Sequence, residues 1–293
     1  MKLGNLIIAG LVTGSIYASF AALVAIWYRV SNILNLAVGD FAMMGALGVD
    51  ALVHNKHWSI APAILATLAA VALGGYLYDR VVLHLAQDKT RQEGIVMTFF
   101  FTFALSFFLE GLAEVLFGTN VHAAPDLWAG PSLNIFSGLH IARAGVLVIG
   151  FAASVGVLMA LFLRRTLSGK AVQACGENYI GARIVGIDNR KYRRRLFVLS
   201  AVMAAVFGIL ASPITGYTYN SGAAISFTGF IAAAYAGFQK PGKAVVAGLV
   251  IGVLEALLGG YVSPQYGDTL LYAILAAAVL IRPSAMGLDL ALD

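Results

Sequence analysis

The chain has 293 residues, 60% of them hydrophobic, with a mean hydropathy of +0.86 and only 11% charged residues, far below the roughly 25% charged that is usual in soluble domains. This composition excludes a soluble enzyme or binding module and describes an integral membrane protein; no nucleic-acid partner is expected of it. The single Cys175 rules out an internal disulfide, and no Cys/His cluster has metal-ligand spacing.

About 20 apolar residues span a hydrocarbon core. Segments of that character fall at residues 4–28, 32–53, 58–83, 94–118, 144–163, 196–217, 223–238, 244–260 and 269–281. The expected fold is all-α: one polytopic transmembrane domain over residues 1–293, with about 8–10 transmembrane or re-entrant helices. The first segment is too long for a signal-peptide core and reads as a retained span, whereas 223–238 is short enough to be re-entrant. Pro125, Pro131, Pro241, Pro264 and Pro283 fall in loops or at helix stops, Pro62 near a helix start and Pro213 near a helix end. With the N-terminus outside, all of the 19 Lys and Arg except Lys2, Lys56 and Arg143 lie on one side. By the positive-inside rule that side, with the C-terminus, is cytoplasmic.

The second segment contains "NLAVGDFAMM", residues 35–44. An acid at Asp40, about 12 Å into a span of about 30 Å, is costly. The residues suggest a discontinuous helix that breaks near Gly39 and restarts with Asp40 as its N-cap, and they leave open whether Asp40 serves transport or bonds a neighbouring helix. Gly248, Gly252, Glu255 and Gly259 share one face of the eighth segment, a small-residue stripe that turns Glu255 toward protein as a structural hydrogen bond or ion pair. Ala201, Ala204, Gly208 and Ala211 form a similar packing stripe. Glu110 and Glu114 read as snorkelling acids at the outer end of the fourth segment, and the run at 99–108, "FFFTFALSFF", as lipid-facing or packed bulk. None of the five His reads as a buried proton relay.

Residues 164–195 are the least membrane-like stretch, with nine Lys and Arg against Glu177 and Asp188. Arg164, Arg165 and Arg193 to Arg195 suit positive-inside anchors. Between them Ser168 can cap a short cytoplasmic helix in which Ala171, Ala174, Cys175 and Tyr179 recur at helical spacing, with Gly186 as its stop. Its apolar face needs either the membrane surface or a groove on a soluble partner. The chain carries no Walker lysine loop, nucleophile elbow or intramembrane Ser/His pair and reads as non-catalytic.

"GKAVQACGENYIGARIVGID" (169–188) resembles the cytoplasmic coupling loop of ABC importer permeases, in particular those of the branched-chain amino-acid family. "LVTGSIYASFAAL" (11–23) resembles that family's first span, and "NLAVGDFAMMGA" its Asn-Phe-Ala-His-Gly-Glu pattern, with Val38 in place of His and Asp40 in place of Glu. "KPGKAVVAGLVIGVLEALLGGYV" (240–262) resembles its Pro-Gly-Ala span. The resemblance implies a permease subunit of an ATP-driven importer of branched-chain or related amino acids, in the bacterial cytoplasmic (inner) membrane and in contact with membrane lipid. Urea, amides and small aromatic or organic acids are the alternative solutes. It implies a homologous second permease chain, two cytoplasmic ABC ATPase subunits holding ATP and magnesium, and a periplasmic or extracellular solute-binding protein, with no cofactor in this chain. The pathway would pass near Asn35, Gly39 and Asp40, and the ATPases would engage Ser168, Gly169, Ala174, Gly176, Glu177, Asn178 and Gly186. A self-sufficient ion-gradient carrier or channel is the competing class. It draws on Asp40, the short seventh segment and the echo of "GDFA" (39–42) in "GFIA" (229–232).

Overall fold

Long apolar runs bounded by charge and proline dictate the architecture. The structure is a computed structural model describing residues 2–31, 35–88, 91–136, 139–177, 179–238, 241–262, 269 and 273. Its helices are α1 (Lys2–Ser31), α2 (Val38–Asp50), α3 (Ile60–Val81), α4 (Arg91–Phe117), α5 (Arg143–Arg165), α6 (Leu167–Glu177), α7 (Tyr179–Ile184), α8 (Asn189–Thr215), α9 (Ser221–Tyr235) and α10 (Pro241–Tyr261). Six of these, α1, α3, α4, α5, α8 and α10, are long and apolar enough to cross a membrane. The segments expected at 32–53 and 223–238 become the shorter α2 and α9, and nearly all of 269–281 lies outside the described residues. The protein is thus an all-α polytopic membrane protein. To these helices the described residues add a π-helical turn at Ala51–Asn55, a 3-10 turn at Leu83–Asp88 and a hairpin in the loop before α5, β1 (Leu133–Phe136) paired antiparallel with β2 (Leu139–Ile141), with Leu133 opposite Ile141.

Local chemistry sets the helix ends. Pro62 lies in the first turn of α3 and Pro241 opens α10, where no intrahelical N–H is lost. Asp188 caps α8 by accepting from the Lys191 N–H at 3.2 Å, and that bond holds its carboxyl below the ordinary aspartate range. Pro213 sits in the last turn of α8, which stops at Gly216 with φ +63°.

The chain forms two compact units. One draws on residues 1–25, 128–156 and 228–293, the other on 26–127 and 157–227. In the first, α10 crosses α1 at backbone distance: a Cβ on Gly248 would strike Ala18, and one on Gly252 would strike Gly14. This is the contact expected of the small-residue stripe. In the same unit Arg143 ties the hairpin loop down, donating to the carbonyls of Pro131 (3.1 Å) and Ala129 (3.2 Å) and lying 5.5 Å from the Trp128 ring centroid.

In the second unit α2 packs most extensively against α8 and α3. Phe197, fully buried on α8, gathers Trp27 (5.2 Å), Phe41 (5.8 Å) and Tyr78 (6.5 Å between ring centroids). Ala201, Ala204 and Ala211 of α8 are fully buried, and a Cβ on Gly208 would strike the Ala42 carbonyl. Buried Asp79 accepts from Arg194 Nε at 2.8 Å and from Arg193 at 3.3 Å, so these two arginines are structural partners as well as basic residues at a span end.

Gly208→Val should therefore force α8 from α2 and cost about 1–3 kcal/mol, the range for overpacked cores. Gly74→Ala, whose added methyl meets nothing within 4 Å, should stay within about 0.5 kcal/mol of the parent or gain slightly. Chemical denaturation in mild detergent, followed by circular dichroism, measures both.

Candidate substrate site and coupling helices

The second apolar segment does not break at Gly39: it is helical from Val38, and its residues 32–34 lie outside the described residues. α1 ends at Ser31 and α2 begins at Val38. Its N-cap is Ala37, with no side-chain cap bond, so Asp40 is not the cap; it lies in the first turn, already within the helix. The cap fails at Asp40 because the chain is helical two residues sooner. Asn35 takes a local role instead, its Oδ1 accepting from the Ala37 N–H at 3.1 Å.

Asn35, Gly39 and Asp40 are brought together and all are buried. The Gly39 N–H, free of an intrahelical acceptor in the first turn, donates to Ser226 Oγ of α9 at 2.7 Å. A Cβ on Gly39 would strike the Gly222 carbonyl, so glycine is what lets α9 approach. Asp40 Oδ2 accepts a short hydrogen bond from Ser106 Oγ of α4, while Asp40 Oδ1 and Asn35 Nδ2 have no hydrogen-bond partner among the described residues. Beside them is a cavity of about 70 Å³ lined by Leu36, Phe103, Ser106, Phe107, Glu110, Ala223, Ser226 and Phe227. This has room for a few waters or one small cationic group. The Glu110 carboxylate and two hydroxyls line it, and Asp40 lies behind one of them, Ser106.

Glu110 is therefore not simply a snorkelling acid: it is half-buried and lines this cavity, whereas Glu114 is exposed. Sequence reasoning missed Ser106, Ser226 and Gly222 as well. The available signal was the four-residue spacing of Thr98, Thr102, Ser106 and Glu110 through an otherwise aromatic helix. The first three are buried, and such spacing marks one face. The intervening Phe100, Phe107 and Phe108 are about 60% exposed, as lipid-facing bulk should be. His122 bonds a second buried acid: its Nδ1 lies 2.7 Å from Asp50 Oδ2, and His54 Nδ1 lies 2.6 Å from Asp50 Oδ1.

In the basic loop the chain is helical over α6 and α7, on either side of residue 178. The cap of α6 is Thr166, whose Oγ1 accepts from the Gly169 N–H at 2.9 Å, rather than Ser168, which lies one residue inside α6. The buried face is Gly169, Val172 and Cys175; Ala171 and Ala174 are only half-buried. Gly169 packs on the backbone at Phe162 and Gly176 on the Arg29 carbonyl. Cys175 donates its S–H to Asn189 Oδ1 at 2.9 Å, and burial pushes its thiol up. Gly186 ends α7 with φ +83°. Glu177 is exposed, as are Ile184 (80%) and Val185 (73%); Asn178 lies outside the described residues. On α10, Gly248 and Gly252 make the crossing described above, and Glu255 is half-buried. Among the described residues no group of three His, Cys, Asp or Glu side chains is placed to hold a metal ion.

Against families of known proteins, residues 6–279 match the branched-chain amino acid transport system / permease component family. The chain belongs to that family. Within it, the high-affinity branched-chain amino acid transport system permease protein LivH of Salmonella typhimurium is 25% identical over 94% of this chain and 92% of its own length. The corresponding BraD of Pseudomonas aeruginosa is 25% identical over 96% and 94%. LsrC, an autoinducer 2 import system permease protein of Salmonella paratyphi B, is 27% identical over 78% of this chain and 67% of its own length. This permease family accounts for the run of apolar helices and makes the chain a membrane transport component.

Ser106→Ala should leave the Asp40 carboxylate without its hydroxyl donor and destabilise the chain by about 1–3 kcal/mol, the cost of an unsatisfied buried polar group. A double-mutant cycle with Asp40→Asn, read by denaturant unfolding in detergent, should return a coupling of about 0.5–3 kcal/mol. Additive effects would separate the two side chains.

Proposed function

We propose that this chain is the transmembrane permease subunit of an ATP-driven importer that carries branched-chain or related amino acids into the cytoplasm. It works as one permease domain in the bacterial inner membrane, with a homologous second permease chain. Two ABC ATPases supply ATP and magnesium chemistry from the cytoplasm, and a periplasmic or extracellular binding protein supplies solute. Residues 164–195 form the coupling loop and the C-terminus is cytoplasmic.

The observation that carries this reading is the pair Ile184 and Val185, exposed at the end of α7 within the most basic stretch of the chain. Two adjacent bulky apolar side chains left in water beside basic residues suit a groove on a soluble partner. A carrier that works alone has no use for them. The relatives' names support the choice of amino acids, and the autoinducer 2 relative argues that one permease design serves several solutes. Asp40 and Glu110 beside Ser106 and Ser226 suit the ammonium end of an amino acid, which a carboxylate and hydroxyls can hold once water is excluded. The small cavity then corresponds to a closed pathway that widens when the permease pair separates.

Purification from the native membrane in mild detergent should recover two ATPase chains and a second permease. In proteoliposomes the complex should take up leucine only with ATP and binding protein. Asp40→Asn should lower uptake at least about tenfold, equivalent to about 1.4 kcal/mol, while assembly persists. Val185→Asp should uncouple ATP hydrolysis from uptake with the pathway residues intact. Ion-driven uptake by the chain alone would overturn the reading.

A further inference from the structure

The wall of the small cavity beside α2 carries three polar side chains, Ser106 and Glu110 of α4 and Ser226 of α9; the rest of it is aliphatic and aromatic. Among the described residues no Lys, Arg or His lines it, so an anionic head would meet the Glu110 carboxylate with no counter-charge. Hydroxyls both donate and accept, and what the wall recognises therefore depends on where their protons go. Ser106 Oγ donates to Asp40 Oδ2. Its one proton is thus directed away from the cavity, and only its lone pairs are left to face a solute. A hydroxyl that donates to a carboxyl group is polarised and accepts more strongly in turn. Ser226 Oγ is partly used as well, because it accepts the Gly39 N–H at 2.7 Å.

Asp40 itself is not part of the wall. It is fully buried, with Ser106 on one oxygen and Gly222 against the other, where a Cβ on that glycine would strike Asp40 Oδ1. We propose that the cavity is a primary-ammonium subsite in which Ser106 and Glu110 touch the solute, while Asp40 is a positioning residue that fixes Ser106 as an acceptor. The assignment deepens the amino-acid reading above and rests on its placing the solute at this cavity. An ammonium group brings three N–H donors and a positive charge to a wall rich in acceptors, and about 70 Å³ has room for it. A hydroxyl brings one donor and no charge, and a carboxylate brings neither. Glu110 then selects by direct contact, and Asp40 only through Ser106.

The test offers the full chain, purified in mild detergent, three heads on one branched skeleton: isopentylamine, isopentanol and isovalerate, with leucine alongside. Binding is read from the concentration dependence of the thermal unfolding midpoint. The amine should bind at least about tenfold more tightly than the alcohol, the least effect of one hydrogen bond to a charged group; leucine should follow the amine, and isovalerate should not bind. Glu110→Gln and Ser106→Ala should each abolish most of the preference for amine over alcohol, whereas Ser106→Thr, which keeps a hydroxyl, should retain it. Asp40→Asn should reduce the preference in the parent and change nothing further in a Ser106→Ala background, a pattern that a merely structural role does not produce. No binding of the amine, equal binding of amine and alcohol, an equal shift from sodium chloride at the same concentration, or a preference intact in both Glu110→Gln and Ser106→Ala would overturn the proposal. Leucine uptake that needs no ATP, with the amine preference intact, would overturn the importer reading and leave the subsite standing.

Discussion

The approach of α2 to its neighbours at backbone distance governs the second unit. Gly39 lies against Gly222 and Ser226 of α9, Gly45 against Ala205 of α8, and Gly208 of α8 against Ala42. In lipid, helix association has little hydrophobic driving force and depends on van der Waals contact and interhelical hydrogen bonds. The missing Cβ atoms supply the first and make the second possible: only because α9 comes this close does Ser226 reach the Gly39 N–H at 2.7 Å. The same proximity places Gly222 against Asp40 while Ser106 holds the other side of the carboxylate. A methyl group at any of these glycines alters the site as well as the packing.

Three buried aspartates show how unequal the demands on a buried charge are in one unit. Asp79 is held by two guanidiniums and Asp50 by two imidazoles, whereas Asp40 meets a hydroxyl and has Glu110 nearby. Opposite charge and hydrogen bonds repay much of the desolvation of Asp79. Asp50 depends on its histidines, which hold it at the far end of α2. Asp40 is paired with no cation among the described residues, and it stands beside a cavity of the right size for one small cationic group.

How much of this was legible in the sequence differs from element to element. The Gly248–Gly252 stripe predicted a close helix crossing and α10 makes it, because small residues four apart admit only that use in lipid. The stop at Gly186 was equally readable, since its positive φ favours glycine. Asp40 announced itself as an acid in an apolar run, but its hydrogen-bond partner did not. Ser106 lies 66 residues away inside a phenylalanine-rich helix whose bulk hides the four-residue polar spacing. Both caps were misplaced. Asp40 and Ser168 are good capping residues, yet the caps lie three and two residues earlier, at Ala37 and Thr166. Propensity chose the right residue type at Thr166 but not at Ala37, which caps α2 without a side-chain bond. The hairpin at Leu133–Ile141 was invisible because its strands are four and three residues long and carry too few alternations to read.

α8 is the element that joins the basic loop to the buried acid. Near its N-terminus Asn189 accepts from Cys175 of α6, and Arg193 and Arg194 fasten it to Asp79 of α3. Nineteen residues further on, about 28 Å along the axis, Gly208 presses against Ala42, two residues beyond Asp40. A helix is stiff over that length, and both of its ends are tied by contacts too close to slip: an ion pair at one and backbone against backbone at the other. Displacement of α6 is therefore resisted at its base or carried along α8 as a whole. Packed interiors respond to such a load by changing between discrete arrangements rather than by yielding continuously. At the first turn of α2 that load meets the Gly39–Ser226 and Ser106–Asp40 hydrogen bonds, with no side-chain cap at Ala37 and one oxygen of Asp40 without a partner among the described residues.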